Sequence, residues 1–306
     1  MLKIEHVSKK FDELIALQDV TFNIRQGEFF GLLGPNGAGK STLMNIIVGY
    51  LLPDSGIISI EGSVMKPDNP DWRRKIGYVP QEISLFLDLS AHQNLKIFGR
   101  LYGLTSRNLE EKIEGVLDLV QLSDRKKDPV KDFSGGMKRR LNLAASLLHD
   151  PDVILCDEPT VGVDPQSRNA IFDMLLKLNK SGKTIVYTTH YMEEAERMCP
   201  RLAVIDHGII IAQGTLTELI DLINQKDTLK IRKTPFVQSK IAGLSDLGNI
   251  AELDFYYEIL PSDDYRLISR LFSRLESTGI PNELIQISRP TLEDVFLKLT
   301  GRSLRD

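Results

Sequence analysis

The sequence predicts an α/β fold built on a parallel sheet covered by helices on both faces, followed by a smaller α+β domain. Three observations carry this. First, "DVILCDEP" and "KTIVYTTH" are continuous apolar runs of strand length, separated by a helical stretch around Ile171 to Leu178. Strands apolar throughout, rather than on alternate residues, belong to sheets buried on both sides. Second, the compact strand "GEFFGLLG" ends at Gly34 in a glycine-rich turn, and helix-forming residues follow at once from Lys40. Third, the composition breaks near Asn224 to Asp227, and short strands and helices then resume on a smaller scale. A chain of 306 residues fits about two domains.

In order, the first forty residues read as short strands closed by turns: "LKIEHVSKKF", "ALQDVTFNI" and "GEFFGLLG". The helix "KSTLMNIIVGYL" comes next, then a hairpin at "GIISIEG" and a strand at "KIGYVPQ". Residues 90 to 125 are predicted helical, with Leu95, Phe98, Leu101 and Tyr102 on one stripe and Ile113, Val116, Leu117 and Val120 on another. After "KDFSGGMKRR", a further helix sets Leu141, Ala144, Ala145 and Leu148 on one face. The two buried strands and their intervening helix follow, and the hairpin "LAVIDHGIIIAQG" turns at His207-Gly208. The helix "LTELIDLI" completes a first domain over residues 1–222, with a helical subdomain over about 83–150. In the second domain, 225–306, "TLKIRK" and "LIQIS" read as strands. "AELDFYYEIL" alternates Leu253, Phe255, Tyr257 and Ile259 on one face. A helix stripe of Ile268, Leu271, Phe272 and Leu275 stops at Gly279, and Thr291 with Asp294 resembles a capping box for the last helix. We find no catalytic constellation in this part.

Composition narrows the function classes. A hydrophobic content of 42% and a charged content of 26% are those of an ordinary globular protein. The net charge of −4 provides no global basic field for nucleic acid, and Lys138-Arg139-Arg140 reads as a solvated helix face. Cys156 and Cys199 are too few for a disulfide framework and suit reduced thiols. The opening Met-Leu-Lys-Ile-Glu runs straight into strand-like alternation without a secretory leader. No apolar run approaches the roughly 20 residues needed to span a bilayer. If the protein works at a membrane, a partner supplies the membrane part.

The chemistry is concentrated at strand ends. "GPNGAGKST", from Gly34 to Thr42, fits the phosphate-loop pattern G-x-x-x-x-G-K-[ST]. Its glycines let backbone N–H groups converge on phosphate oxygens, and the helix N-terminus adds partial positive charge. Lys40 would reach the β and γ phosphates, and Ser41 would give its hydroxyl to Mg²⁺. The competing reading, a glycine turn that caps a helix, is disfavoured by the flanking strand and helix. "VILCDEP" offers a second metal contact, Asp157, and a water activator, Glu158. Strand alternation predicts that the two carboxylates point to opposite sides. An Asp-Glu pair at a strand end is also common as a turn or cap, and it gains meaning here from Lys40. Cys156 reads as core. His190, at the end of "TIVYTTH", is placed where ligands bind in open α/β sheets, though a structural histidine is the usual occupant. Gln81 follows a strand, and Phe11 could stack on a base; each is uninformative alone.

Together these residues make the chain similar to the ATP-binding subunit of an ABC transporter, over residues 1 to about 220. Phe11 falls at the adenine-stacking A-loop. Gly34, Asn36, Gly37, Ala38, Gly39, Lys40, Ser41 and Thr42 fall at Walker A, and Gln81 at the Q-loop. "FSGGM" falls at the signature, "VILCDE" at Walker B, Asp164 at the D-loop and His190 at the switch histidine. The resemblance implies a P-loop NTPase cassette, with a mixed sheet core, an antiparallel β subdomain and a helical subdomain. It implies ATP and Mg²⁺ as nucleotide and metal, with Ser41, Gln81 and Asp157 around the metal, and Glu158, His190 and Gln81 in catalysis. It also implies a head-to-tail dimer, homomeric or with a related cassette, in which Ser134, Gly135, Gly136, Met137 and Asp164 meet the opposite subunit's ATP. That would account for a second glycine turn so far downstream of the first. Integral membrane permease subunits would dock near Gln81–Asn94, where Ile83, Leu85, Phe86 and Leu87 are dense in apolar side chains for a loop; packing inside the helical subdomain is the alternative for them. The implied location is peripheral, on the cytoplasmic face of a membrane. Met137 and Phe133 depart from the family's commoner Gln and Leu but keep the Ser-Gly-Gly core. The C-terminal "SRPTLEDVFLKLTGRSL" resembles the antibiotic-resistance and multidrug export type. A soluble translation or repair ATPase would carry two cassettes or a long heptad insertion, and neither is found. A GTPase would carry Asn-Lys-x-Asp, also missing from the sequence. Import stays the rival to export.

Overall fold

The computed structural model describes residues 1–66, 69–223, 227–261 and 268–301. Its elements, in chain order, begin with β1 (Leu2–Phe11), β2 (Leu14–Ile24), β3 (Phe29–Leu33), α1 (Lys40–Val48), β4 (Ser55–Ile60), β5 (Ser63–Val64), α2 (Pro70–Arg74) and β6 (Ile76–Val79). The middle of the chain adds α3 (Ala91–Leu101), α4 (Ser106–Leu119), α5 (Gly135–Leu147), β7 (Val153–Asp157), α6 (Pro165–Lys180), β8 (Thr184–Thr189), α7 (Met192–Met198), β9 (Arg201–Asp206) and β10 (Ile209–Thr215). The remainder is α8 (Leu216–Leu222), β11 (Thr228–Arg232), α9 (Pro235–Lys240), β12 (Gly248–Glu252), β13 (Tyr256–Pro261), α10 (Ile268–Thr278), β14 (Ile285–Ser288) and α11 (Leu292–Thr300).

The chain divides into two compact units, the second beginning at Thr217. In the first, a six-stranded sheet runs β10-β9-β3-β8-β7-β6. It is parallel from β9 to β6, with β10 antiparallel at one edge. β3, β7 and β8 are buried at every position, as expected of strands covered on both faces. A four-stranded antiparallel sheet, β2-β1-β4-β5, shares a core with α1 and the main sheet. Phe22 stacks on Phe30 at 5.2 Å, and Leu2, Ile4, Leu43, Ile47 and Val186 pack in the same cluster. α2 was not foreseen, yet it is anchored in that cluster by Trp72, whose indole N–H donates to the Ile47 carbonyl at 2.8 Å. Asn69 caps it and Pro70 opens it, a start signal.

α3, α4 and α5 form the helical part. Ile113, Leu117, Val120, Leu141, Ala144 and Leu148 are fully buried there. Leu101 departs from its predicted stripe and is exposed. It is the last residue of α3, after which Gly103, at φ 79°, turns the chain away.

The second unit is a four-stranded antiparallel sheet, β12-β13-β11-β14, over its own core of Leu229, Ile231, Tyr257, Ile259 and Leu275. α8, assigned to the first domain from sequence, falls almost wholly here. The carbonyl of Ile223, just after it, accepts the Lys298 ammonium of α11 at 2.5 Å. "AELDFYYEIL" is not one alternating strand but the hairpin of β12 and β13. Leu253 and Phe255 sit at its turn and are exposed, Phe255 by 75%, whereas Tyr257 and Ile259 are buried. The polar Asp254 at the turn breaks the alternation. The Thr291–Asp294 capping box is present, and Gly279 ends α10 at φ 73°. The side chains of Ile268, Leu271 and Phe272, the break at 224–226 and the tail from 302 lie outside the described residues.

Candidate active site

The parallel strands β3, β6, β7 and β8 deliver their C-terminal ends to one edge of the sheet. Leu33 is in register with Thr189, and Asp157 with Thr188, so Gly34, Glu158 and His190 emerge side by side. Ligands bind at such an edge in open α/β sheets.

A cleft of about 660 Å³ opens there, lined by Asn36, Gly37, Gly39, Lys40, Ser41 and Thr42, with Gln81, Glu158, His190 and Tyr191 opposite. Gly34 and Ala38 lie buried beneath it. A Cβ at Gly34 would fall 2.2 Å from the Ile205 carbonyl oxygen, so only glycine fits. Gly39, at φ 106°, precedes α1 without a capping side chain, which leaves the first-turn N–H groups free for an anion.

Lys40 is 4% exposed, and its ammonium donates to the Gly34 carbonyl at 2.7 Å and the Pro35 carbonyl at 3.0 Å. It also pairs with Glu158 Oε1 at 2.9 Å. Glu158 Oε2 lies 3.0 Å from His190 Nδ1. Lysine, glutamate and histidine from three separate segments thus form one connected chain at the mouth of the phosphate loop.

Glu158 is not aimed by strand alternation, as the sequence suggested. β7 ends at Asp157, and Glu158 adopts φ 45°, a left-handed conformation that costs a side-chain-bearing residue about 1–2 kcal/mol. Thr188 stabilises it by accepting the Glu158 N–H at 2.9 Å, and its hydroxyl lies 2.7 Å from Asp157 Oδ1. Asp157 is buried, and among the described residues its Oδ2 meets only the Tyr78 hydroxyl, at 3.5 Å. Burial, then the nearby Asp157 carboxylate, push the Tyr78 phenol above its ordinary pKa, so it stays a donor. Thr188 and Tyr78 were missed in the sequence. Thr188 could have been found, because it neighbours the singled-out His190 by two residues on a buried strand.

Phe11 stands at the far end of the cleft with Leu14, Ile15 and Ala16. It is 40% exposed, and the Lys9 ammonium lies 5.5 Å from its ring centre. This apolar end is where a base would stack.

Ser134, Gly135, Gly136, Met137 and Asp164 do not join the cleft. Ser134 caps α5 by accepting the Met137 N–H at 3.2 Å, and Asp164 caps α6 by accepting the Ser167 N–H at 2.9 Å. Those bonds hold the Asp164 carboxyl below its usual range. A Cβ on Gly136 would lie 2.1 Å from Ser167 Oγ and 3.5 Å from Asp164 Oδ2, so the two helix starts form one patch. Ser134 and Gly135 are exposed on it.

Residues 17–161 match the family model described as ABC transporter. The chain is 39% identical over 311 residues to the linearmycin resistance ATP-binding protein LnrL of Bacillus subtilis, covering 100% of both. It is 40% identical to the Nod factor export ATP-binding protein I of Ralstonia nicotianae, covering 100% of this chain and 95% of the relative. A dimeric ATP-binding cassette solved in a post-hydrolysis state with ADP and Pi matches 70% of this chain and 98% of its own, at 30% identity and a TM-score of 0.64. The chain belongs to the ABC transporter family, as an ATP-binding subunit. It is an ATPase whose hydrolysis powers transport.

Proposed function

We propose that the chain works as an ATP-sandwich dimer that drives export through a separate membrane permease, with Glu158 as the general base. The observation that carries this is the Lys40–Glu158–His190 chain at the phosphate loop. Lys40 would exchange Glu158 for the β and γ phosphates of ATP. Glu158, released, would accept a proton from the attacking water, and His190 Nδ1–H would keep its carboxylate oriented. The oxygens of Ser41, Gln81 and Asp157 suit a hard divalent ion, and among the described residues Asp157 Oδ2 has one long partner. Mg²⁺ held there would neutralise charge on the transferred phosphate.

Completion of the site by a second subunit is supported by the exposed Ser134–Gly135 helix start, which has the N–H groups and the dipole for a γ-phosphate but lies outside its own cleft. A symmetric dimer gives two equivalent composite sites; the solved relatives include dimers. Among the described residues no helix is long and apolar enough to cross a membrane, so the subunit would sit peripherally against its permease. Phe86 and Leu87 are exposed in the loop after Gln81. A cavity of about 250 Å³ next to it is lined by Tyr50, Tyr78, Ser84, Phe98, Tyr102 and Asn142. This is the surface we assign to the permease, near Gln81–Asn94. Export is favoured because relatives matching this chain end to end are named for resistance and export.

The test is Glu158→Gln. Turnover should fall about 10²–10⁴-fold, as on loss of a general base, and an ATP-bound dimer should accumulate on gel filtration. Hydrolysis at the normal rate would remove Glu158 from this role. Co-purification of an importer-type solute-capture system, in place of a permease alone, would turn the direction to import.

A further inference from the structure

A second buried carboxylate stands behind the residues just given catalytic roles. Glu194, on α7, is 4% exposed, and three hydroxyls converge on it. Thr160 Oγ1 lies 2.9 and 3.0 Å from its two oxygens, Tyr187 OH 2.8 Å and Thr189 Oγ1 2.9 Å from Oε2. Arg168 Nε, on α6, adds an ion pair at 3.6 Å to Oε1.

The hydroxyls come from segments that carry chemistry. Thr160 is two residues beyond Glu158. Thr189 directly precedes His190, and its hydroxyl accepts the Tyr191 N–H at 2.9 Å, so the backbone is fixed on both sides of the histidine. Arg168 belongs to the helix that Asp164 caps, and its guanidinium lies 5.6 Å from the Tyr191 ring centre. A carboxylate out of water is costly unless its lone pairs are filled. Here they are filled by the segments on either side of the Glu158–His190 contact.

We infer that Glu194 is a positioning residue for hydrolysis: it clamps the segments bearing Glu158 and His190 at the separation their contact requires. It lies outside the cleft lining and touches no substrate. The inference rests on the proposed roles of Glu158 and His190. A glutamine at 194 keeps the volume but removes the charge that pairs with Arg168, and an amide N–H₂ in the place of Oε1 would set donor against donor there. The clamp then loses at least one arm while the phosphate loop is untouched.

The experiment compares the full-length chain with its Glu194→Gln and Thr189→Val variants, measuring kcat, KM for ATP, binding of a fluorescent ATP analogue and thermal melting. Because a small misplacement of reacting groups costs up to about 10²-fold, kcat should fall about 10–100-fold in Glu194→Gln and less in Thr189→Val. KM and analogue binding should stay within about twofold. The His190 Nδ1–H proton resonance, assigned by its loss in His190→Asn, should shift or broaden in Glu194→Gln. A normal kcat in a folded Glu194→Gln overturns the inference. So does a loss of nucleotide binding parallel to kcat in both variants, which marks a merely structural residue. Glu158→Gln separates the layers: if it hydrolyses ATP normally, the base reading falls and the clamp with it. If it is inactive while Glu194→Gln is normal, only the clamp falls.

Discussion

Two adjacent glycines, Gly135 and Gly136, look interchangeable in the sequence and are not. Gly135 has open space where a Cβ would go, whereas a Cβ on Gly136 would meet Ser167 Cβ at 2.4 Å as well as its Oγ. Rotation of the serine cannot relieve the first contact, so α5 and α6 must separate. Gly136→Ala should therefore destabilise the monomer by about 1–3 kcal/mol, the usual cost of overpacking. Gly135→Ala should be neutral or mildly stabilising in the monomer, since alanine favours helix by up to about 1 kcal/mol. Urea denaturation of the two variants checks both. The candidate site residues were legible because the phosphate loop is defined by its spacing and the Asp157-Glu158 pair gains meaning beside Lys40. The backbone of Glu158 was not legible, because nothing in "CDEP" announces a left-handed glutamate. It depends on Thr188, from another strand, accepting its N–H.

At the level of elements, α5 is more than the carrier of the signature turn. Arg139 reaches from it to the Pro80 and Gln81 carbonyls beyond β6 and to the Val161 carbonyl beyond β7. Burial holds its guanidinium below the ordinary pKa, but five N–H donors and three carbonyls favour the charged form. One side chain therefore ties the start of the predicted docking loop, the signature helix and the segment leading to Asp164. Arg139→Ala should lower stability by about 1–3 kcal/mol, as loss of charged hydrogen bonds does, and should reduce hydrolysis more than it reduces ATP binding. Denaturation, nucleotide titration and turnover on one preparation test this. Sequence reading took Lys138-Arg139-Arg140 for a solvated face, because a charge run on a helix carries no sign of the carbonyls it will meet. Periodicity did better where burial is one-sided, as in α4 and α5. It failed at β12–β13, where Ile250 pairs with Ile259 and Glu252 with Tyr257, so the reversal of direction puts odd-numbered residues of one strand on the face of even-numbered residues of the other.

For the whole molecule, the separation of Ser134 and Gly135 from their own cleft makes a complementation test decisive. Lys40→Ala removes the proposed phosphate contact of one subunit, and Ser134→Arg blocks the turn that it is proposed to present to another. Each variant alone should be inactive, while Ser134→Arg should still bind ATP as a monomer. Mixed in equal amounts, half the dimers are hybrid, and each hybrid keeps one intact site of two. About a quarter of wild-type hydrolysis should return if the sites act independently in a symmetric dimer. No recovery would mean that each subunit is complete or that hydrolysis requires both sites. The two-unit division was visible in composition, but its position was set by packing: Ile223 belongs with Lys298 of the last helix, a contact 75 residues away that no local pattern encodes.

The Lys40–Glu158 pair has one more consequence. Lys40 is already paired with an anion of the chain itself, and a phosphate that binds Lys40 as proposed would have to displace it. Glu158 would then be an intramolecular competitor, and the apparent affinity for ATP would be the intrinsic affinity reduced by the fraction of time Lys40 is free. Glu158→Gln removes that competitor's charge as well as the proposed base. Its tighter hold on ATP should be measurable in the isolated monomer, before any second subunit arrives and with no hydrolysis to prevent.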